Sequence, residues 1–172
     1  MASKTLQFPL TVLAVALLIV GTQPVWAQEE DVAALAAALK EVKFTLQEGL
    51  KASEREGTPV SAQFEIDAGK LQLSIYTANG DDFTEVIADP NNGAVLRAEK
   101  ITDSDDLNDA IDQKAAMGKA TVSLSAAADT AEKENPGSRV VGIFPDLEDG
   151  HAVAQVTLLQ GATAKKVAEK LD

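Results

Sequence analysis

Five aspartates, Asp103, Asp105, Asp106, Asp109 and Asp112, crowd the stretch ITDSDDLNDAID. Carboxylate oxygens at that density suit a hard cation such as Ca²⁺, and Asp105, Asp109 and Asp112 fall on one side of a helix. The order of alternating acids, central glycine and late glutamate that builds a calcium loop is absent. Helix capping and a solvated acidic face account for the cluster more simply. Asp89 with Asn91 and Asn92 reads in the same way, as turn chemistry. The other reactive prospect is His151, the only histidine. In a chain without cysteine, a hydrolytic site would need a serine or threonine beside it. His151 follows Gly150 in a predicted turn, which points to an exposed loop residue. One histidine and no cysteine also fall short of a transition-metal ligand set. The sequence therefore assigns no catalytic residue, no metal ligand and no cofactor.

The 172 residues allow one domain or two small modules sharing a core. The first of them read as a secretory signal. MASKTLQFPLTVLAVALLIVGTQPVWA has one cation, Lys4, and an apolar run from Leu10 to Val20. It ends in Val25-Trp26-Ala27, with small residues where a signal peptidase reads, so cleavage is expected between Ala27 and Gln28. The apolar run is about half the ~20 residues that a retained membrane helix needs. Lys4 is the only charge in this segment, so the rest carries 14 basic residues against 27 acidic ones, a net −13. Such a surface repels nucleic acid and anionic lipid, which excludes both as expected partners. Absence of cysteine excludes a disulfide framework and argues against a lipid-anchored lipoprotein. The expectation is a periplasmic or secreted protein with no membrane attachment once the signal is gone.

Several elements must hold whatever the chain binds. In residues 28–43, Val32, Leu35, Leu39 and Val42 recur at helical spacing, with Glu29, Glu30 and Asp31 at the positive end. Thr45-Leu46-Gln47-Glu48 is a capping-box pattern for a second helix reaching Glu56, stopped by Gly57-Thr58-Pro59. Then VSAQFEI alternates, with Val60, Ala62, Phe64 and Ile66 on one side and Ser61, Gln63 and Glu65 on the other. LQLSIY, FTEVIA and AVLRA follow, separated by turns at Asp67–Lys70, Asn79-Gly80 and Asp89–Gly93. A connecting helix within 101–120 shares a face of Leu107, Ala110, Ile111 and Ala115, with Ser104 or Asp105 as its cap. Ser123 caps the next helix, apolar at Leu124, Ala127, Ala128 and Ala131. Asn135-Pro136-Gly137 ends it, because proline lacks an amide donor and the residue before it avoids helical angles. RVVGIF and AVAQVTLL are strands around an Asp149-Gly150 turn. By propensity 162–172 is a helix, whereas the repeat described next requires a strand.

The second half follows the plan of the first. Thr45-Leu46 falls on Ser123-Leu124, Val60 on Val140, Phe64 on Phe144, Gly69 on Gly150 and Val86 on Val167. The offset drifts from 78 to 81, as for two copies of one unit, the second truncated.

The helix, the ENPGSRVVGI junction and the FTEVIADPNNGAVL pattern together resemble PepSY domains, found in propeptides of thermolysin-type proteases and in small exported bacterial proteins. Residues 44–98 resemble the whole unit; residues 122–172 resemble it chiefly at the front. The resemblance implies an α+β fold, two tandem cystatin-like units (44–100 and 121–172), each a helix packed on an antiparallel β-meander. These would follow the signal peptide (1–27) and N-terminal helix (28–43), with the connecting helix (101–120) between them. It also implies a non-catalytic role, binding or regulating an envelope or extracellular protein, with a peptidase as the named candidate. The motif is diffuse and transfers no functional residue. The alternative is a small-ligand or cation-binding periplasmic protein with a pocket between the two units.

Overall fold

Thr45 begins the folded body with the expected capping box. Its hydroxyl accepts from the amide of Glu48 (3.2 Å), and the Glu48 carboxylate accepts from the amide of Thr45 (2.7 Å). This computed structural model describes residues 25–172, with side chains from residue 31. The signal segment up to residue 24 lies outside the described residues, and Ala27 and Gln28 sit in the first turn of α1 (Val25–Leu39). That helix begins three residues earlier and ends four residues sooner than the periodicity predicts, leaving Val42 in the link to α2 (Leu46–Ser53).

Four strands follow as a meander: β1 (Thr58–Asp67), β2 (Lys70–Asn79), β3 (Asp82–Ala88) and β4 (Val95–Lys100). Helices α3 (Ser104–Met117) and α4 (Leu124–Glu134) come next, then β5 (Arg139–Glu148), β6 (His151–Gln160) and β7 (Thr163–Lys170). The fold is α+β, with every strand among the described residues in one seven-stranded antiparallel sheet of order β4-β3-β2-β1-β5-β6-β7. The two meanders do not form two small sheets. Their first strands pair at Ala62↔Ile143 and Gln63↔Gly142, so the edge each would expose is covered by the other.

Helices α2 and α4 lie side by side on one face, where Gln47 Nε2 of α2 donates to Asp129 Oδ1 of α4 at 2.9 Å. Beneath them sits the main core: Leu46, Leu50, Leu124 and Ala128 from the helices against Phe64, Leu73, Ile75, Val86, Ile143 and Val156 from the sheet. Gly49 sets how closely α2 approaches, since a Cβ there would overlap Leu73 Cδ2. On the opposite face α3 buries Ala110 against Val60, Ala78 and Phe83.

The two halves repeat the same local devices at a fixed spacing. The extra residue of a β-bulge is Val60 in β1 and Val141 in β5. Positive backbone φ marks the hairpins at Ala68 and Asp149, and again at Gly80 and Gly161. All three pairs are 81 positions apart, whereas the helix caps Thr45 and Ser123 are 78 apart. The three-residue difference is the extra length of α4, 11 residues against 8. The alignment of Phe64 with Phe144 is therefore one residue out of step, and in a strand that reverses the face. Phe64 is buried under the helices opposite Leu73, while Phe144 points to the α3 side opposite Gln155.

Residues 162–172 contain the strand β7, registered against β6 from Gln160↔Thr163 to Val153↔Lys170. Tertiary pairing overrides the helical propensity of its alanines and lysines. Lys165, Lys166 and Lys170 are exposed along this edge strand, where they discourage further pairing. The connecting helix also differs from its predicted form. Its cap is Asp103, which accepts from the amides of Asp105 (2.9 Å) and Asp106 (3.4 Å), and not Ser104 or Asp105. Its buried stripe is Ala110, Gln113 and Ala116; Ile111 and Ala115 face solvent. The sheet face that α3 covers is partly polar, and this rotates the helix away from its most apolar side.

Candidate functional site

Alternation along β1 and β2 puts leucine, isoleucine and phenylalanine under α2 and α4, and sends Ser61, Gln63, Ser74 and Tyr76 to the other face. There they meet the inward side of α3. A cleft of about 150 Å³ opens between Tyr76, Ser74 and Gln63 on the sheet and Asp106, Asp109 and Gln113 on the helix. It runs into a shallower depression of about 300 Å³ over β5 and β6, bounded by Asp109, Asp112, Asp146, Phe144 and Gln155. The groove thus lies where the two halves join.

Four carboxylates, Asp106, Asp109, Asp112 and Asp146, border this groove, and among the described residues no lysine or arginine does. Of the five clustered aspartates of the sequence, the fold brings three to the groove and leaves Asp103 at the helix cap and Asp105 in the exposed first turn. Asp146 joins them from β5. Among the described residues, no three Asp, Glu or His side chains are gathered closely enough to hold a metal ion.

Most groove donors are already used. Ser74 Oγ donates to Glu85 Oε1 (2.9 Å), Gln63 Nε2 to Glu65 Oε2 (2.9 Å) and Gln155 Nε2 to Glu148 Oε1 (2.6 Å). Gln113 is only 8% exposed, and its buried Oε1 has no donor. An unsatisfied buried acceptor costs about 1–3 kcal/mol, so this amide is held there against its own solvation.

Tyr76 packs its ring against the Val60–Ala110 cluster. Burial chiefly, then the charge of Asp106 and the hydrogen bond to it, push its phenol well above the ordinary tyrosine range. The neutral phenol is favoured by folding, so the contribution is complete below the unfolded pKa of ~10 and is lost as pH rises toward the folded value. Tyr76 is the only tyrosine, so its ionisation is read without interference. In an alkaline near-ultraviolet titration, tyrosinate is expected to form only as the protein unfolds. Asp106→Asn should bring ionisation down part of the way, since burial remains. A tyrosinate step at the ordinary pH with the fold intact would contradict this environment.

His151 opens β6, with its side chain 74% exposed. Its Nδ1 lies 2.8 Å from Asp172 Oδ2, a contact that holds the Asp172 carboxyl below the usual range. Among the described residues no serine or threonine hydroxyl is hydrogen-bonded to the ring. Asp89 and Asn92 also do what turn residues do: Asp89 Oδ1 accepts from the Asn91 amide and Asn92 Oδ1 from that of Ala94, both at 2.8 Å.

The sequence reading missed Tyr76, Gln113, Phe144 and Asp146. The signal for Tyr76 was its position between Leu73/Ile75 and the turn, on the opposite side of β2 from the core. That for Gln113 was its spacing of three from Ala110.

No family model matches the chain, and no curated protein matches it. A chain of known structure that resembles it is a "putative lipoprotein" from Clostridium difficile 630, 17% identical, with a TM-score of 0.39. The comparison covers 75% of this chain and 95% of that one.

Proposed function

We propose that this is an exported, non-catalytic binding protein that holds or restrains another protein of the cell envelope, a peptidase being the first candidate. Its two halves are read as PepSY-type units joined through β1 and β5. The signal pattern ending at Ala27 supports export. The equal order of helix and meander in the two halves, with bulges and turns at matching places, supports duplication. The observation that carries the binding role is the seam groove, with four aspartates and no cation on its walls. In a chain of net charge −12, or −13 without residues 1–27, it selects a basic surface and repels acidic ones.

A small-ligand role is favoured by the same cleft, which lies between the two halves as that alternative requires. Its volume of about 150 Å³ is below the ~300–1,000 Å³ typical of small-molecule pockets, which supports a side chain as occupant. Purified protein used as bait in envelope extract is expected to retain a protein that elutes with salt. A variant with Asp106, Asp109, Asp112 and Asp146 replaced by Asn should not retain it. Equal retention by that variant would overturn the groove as the contact. Turnover of a peptide library, abolished by His151→Ala, would overturn the non-catalytic reading.

A further inference from the structure

We infer that the free edge of β4 docks on the same edge of a second copy of this chain, joining the two sheets about a two-fold axis at Ala98. β4 ends the sheet, and Leu96 to Lys100 are all exposed, Leu96 at 64%. Such an edge carries backbone groups that no neighbouring strand satisfies. One bond sets their direction: the Ile101 amide donates to Phe83 O at 3.0 Å. Backbone groups alternate along an antiparallel ladder, so Glu99 and Arg97 are turned toward β3, while Ala98 and Lys100 present N–H and C=O outward. A strand added at this edge must therefore meet Ala98 and Lys100 in hydrogen-bonded positions.

Charge then selects the register. In an antiparallel pair of identical strands, outward residues oppose outward residues, so the axis falls on a residue. At Arg97 it would set two guanidinium groups against each other, and at Glu99 two carboxylates. At Ala98 it sets Arg97 opposite Glu99 of the second copy, and Glu99 opposite Arg97 of the second copy. Both pairs occupy non-hydrogen-bonded positions, where side chains stand closest. The groups are on the required face: Arg97 lies 3.6 Å from Glu85 and 3.7 Å from Glu99, in exposed contacts worth little alone. Lys100 is already neutralised by Asp82. The opposite edge differs, since β7 offers three lysines to one glutamate and meets a second copy with like charge. The β4 contact is isologous and closes at two copies. Five residues a side make a small interface, so the dimer is weak and reversible. Its axis stands perpendicular to the sheet, and both copies open their α3 grooves on the same side.

The test is sedimentation equilibrium of the purified protein over a concentration series, where a monomer–dimer equilibrium is expected. Ala98→Pro removes an outward N–H that β3 does not use. It should leave the thermal transition in place and weaken dimerisation at least about tenfold. Arg97→Glu and Glu99→Arg each set like charges across the axis and should weaken it to a similar extent. Mixed in equal amounts, with one of them fluorescently labelled, these two variants should form a heterodimer, because each supplies the charge that the other lacks. Both substitutions in one chain should restore the homodimer. A monomer at every concentration up to about 1 mM would overturn the inference. A dimer untouched by these substitutions would place the contact elsewhere and overturn it as well. Growth beyond two copies would overturn the closed pairing in favour of β4 docking on β7.

Discussion

Replacement of Arg139 by Met is expected to lower stability by about 2–4 kcal/mol, because it strands the carbonyls of Val42 and Phe44, which accept from its guanidinium. Arg139 opens β5 and reaches back some hundred residues in sequence to the link between α1 and α2. Its Nη1 donates to Val42 O (2.7 Å) and Leu39 O (3.4 Å), and its Nη2 to Phe44 O (2.6 Å). Burial pulls its guanidinium below the usual arginine value, and the nearby Glu132 carboxylate opposes that shift. Met keeps most of the stem packed over Phe64 but offers no donor, so the loss reads the hydrogen bonds more than the volume. Lys at this position should recover less than half, since a single ammonium nitrogen cannot take the places of both Nη1 and Nη2. Urea unfolding gives the magnitude, and amide exchange should show α1 and its link opening first. A change below about 0.5 kcal/mol would mean that the link is held by apolar contacts alone.

Leu73→Ala should cost about 2–5 kcal/mol, as for other fully enclosed leucines. Leu73 is 0% exposed, central in β2 between Phe64 on β1 and Ala88 on β3, and directly beneath Gly49. Its neighbour Ser74 points to the groove side, and Ser74→Ala should cost only about 0.5–1.5 kcal/mol for one hydrogen bond to Glu85. That contrast between adjacent residues measures the sidedness of the sheet. Gly49→Ala adds a test of the close approach. Alone it should destabilise by about 1–3 kcal/mol through overlap with Leu73, but in the Leu73→Ala background its methyl group enters the vacated space. The double variant should therefore be more stable than the sum of the two single costs requires. Additive losses would place the helix farther from the sheet than described.

Local physics was legible where it depends on a few neighbouring residues. Thr45 with Glu48, Ser123, the Asn135-Pro136-Gly137 stop and the Asp89–Gly93 turn all act through contacts within a few positions, and each is found where its residue types put it. The alternation of β1 from Ala62 onward and of β2 likewise announced a helix-covered face, but Val60, read on that same side, sits at the bulge and packs against α3 instead. What depended on distant pairing was not legible. Nothing in VSAQFEI or RVVGIF states that β1 and β5 pair with each other, so one sheet emerged where two were expected. Bulges at Val60 and Val141 add a residue without any mark in the local pattern, and so Phe144 was placed on the wrong face. The groove shared that fate. Asp106, Asp109 and Asp112 were visible as a cluster, but their meeting with Tyr76, Phe144 and Asp146 needed the rotation of α3 and the seam beneath it.

The central claim is that an acidic groove at the seam of the two halves recruits a basic protein surface. Its most direct measurement is the association rate of the captured partner as ionic strength increases. The measurement is made with the wild type and with the variant carrying Asn at positions 106, 109, 112 and 146. Steering by exposed charges is screened beyond a Debye length of ~8–10 Å at physiological salt. The wild type should therefore associate more slowly as salt rises, and the variant should be slow with a nearly flat profile. Equal salt slopes for the two proteins would contradict the groove as the site of recruitment.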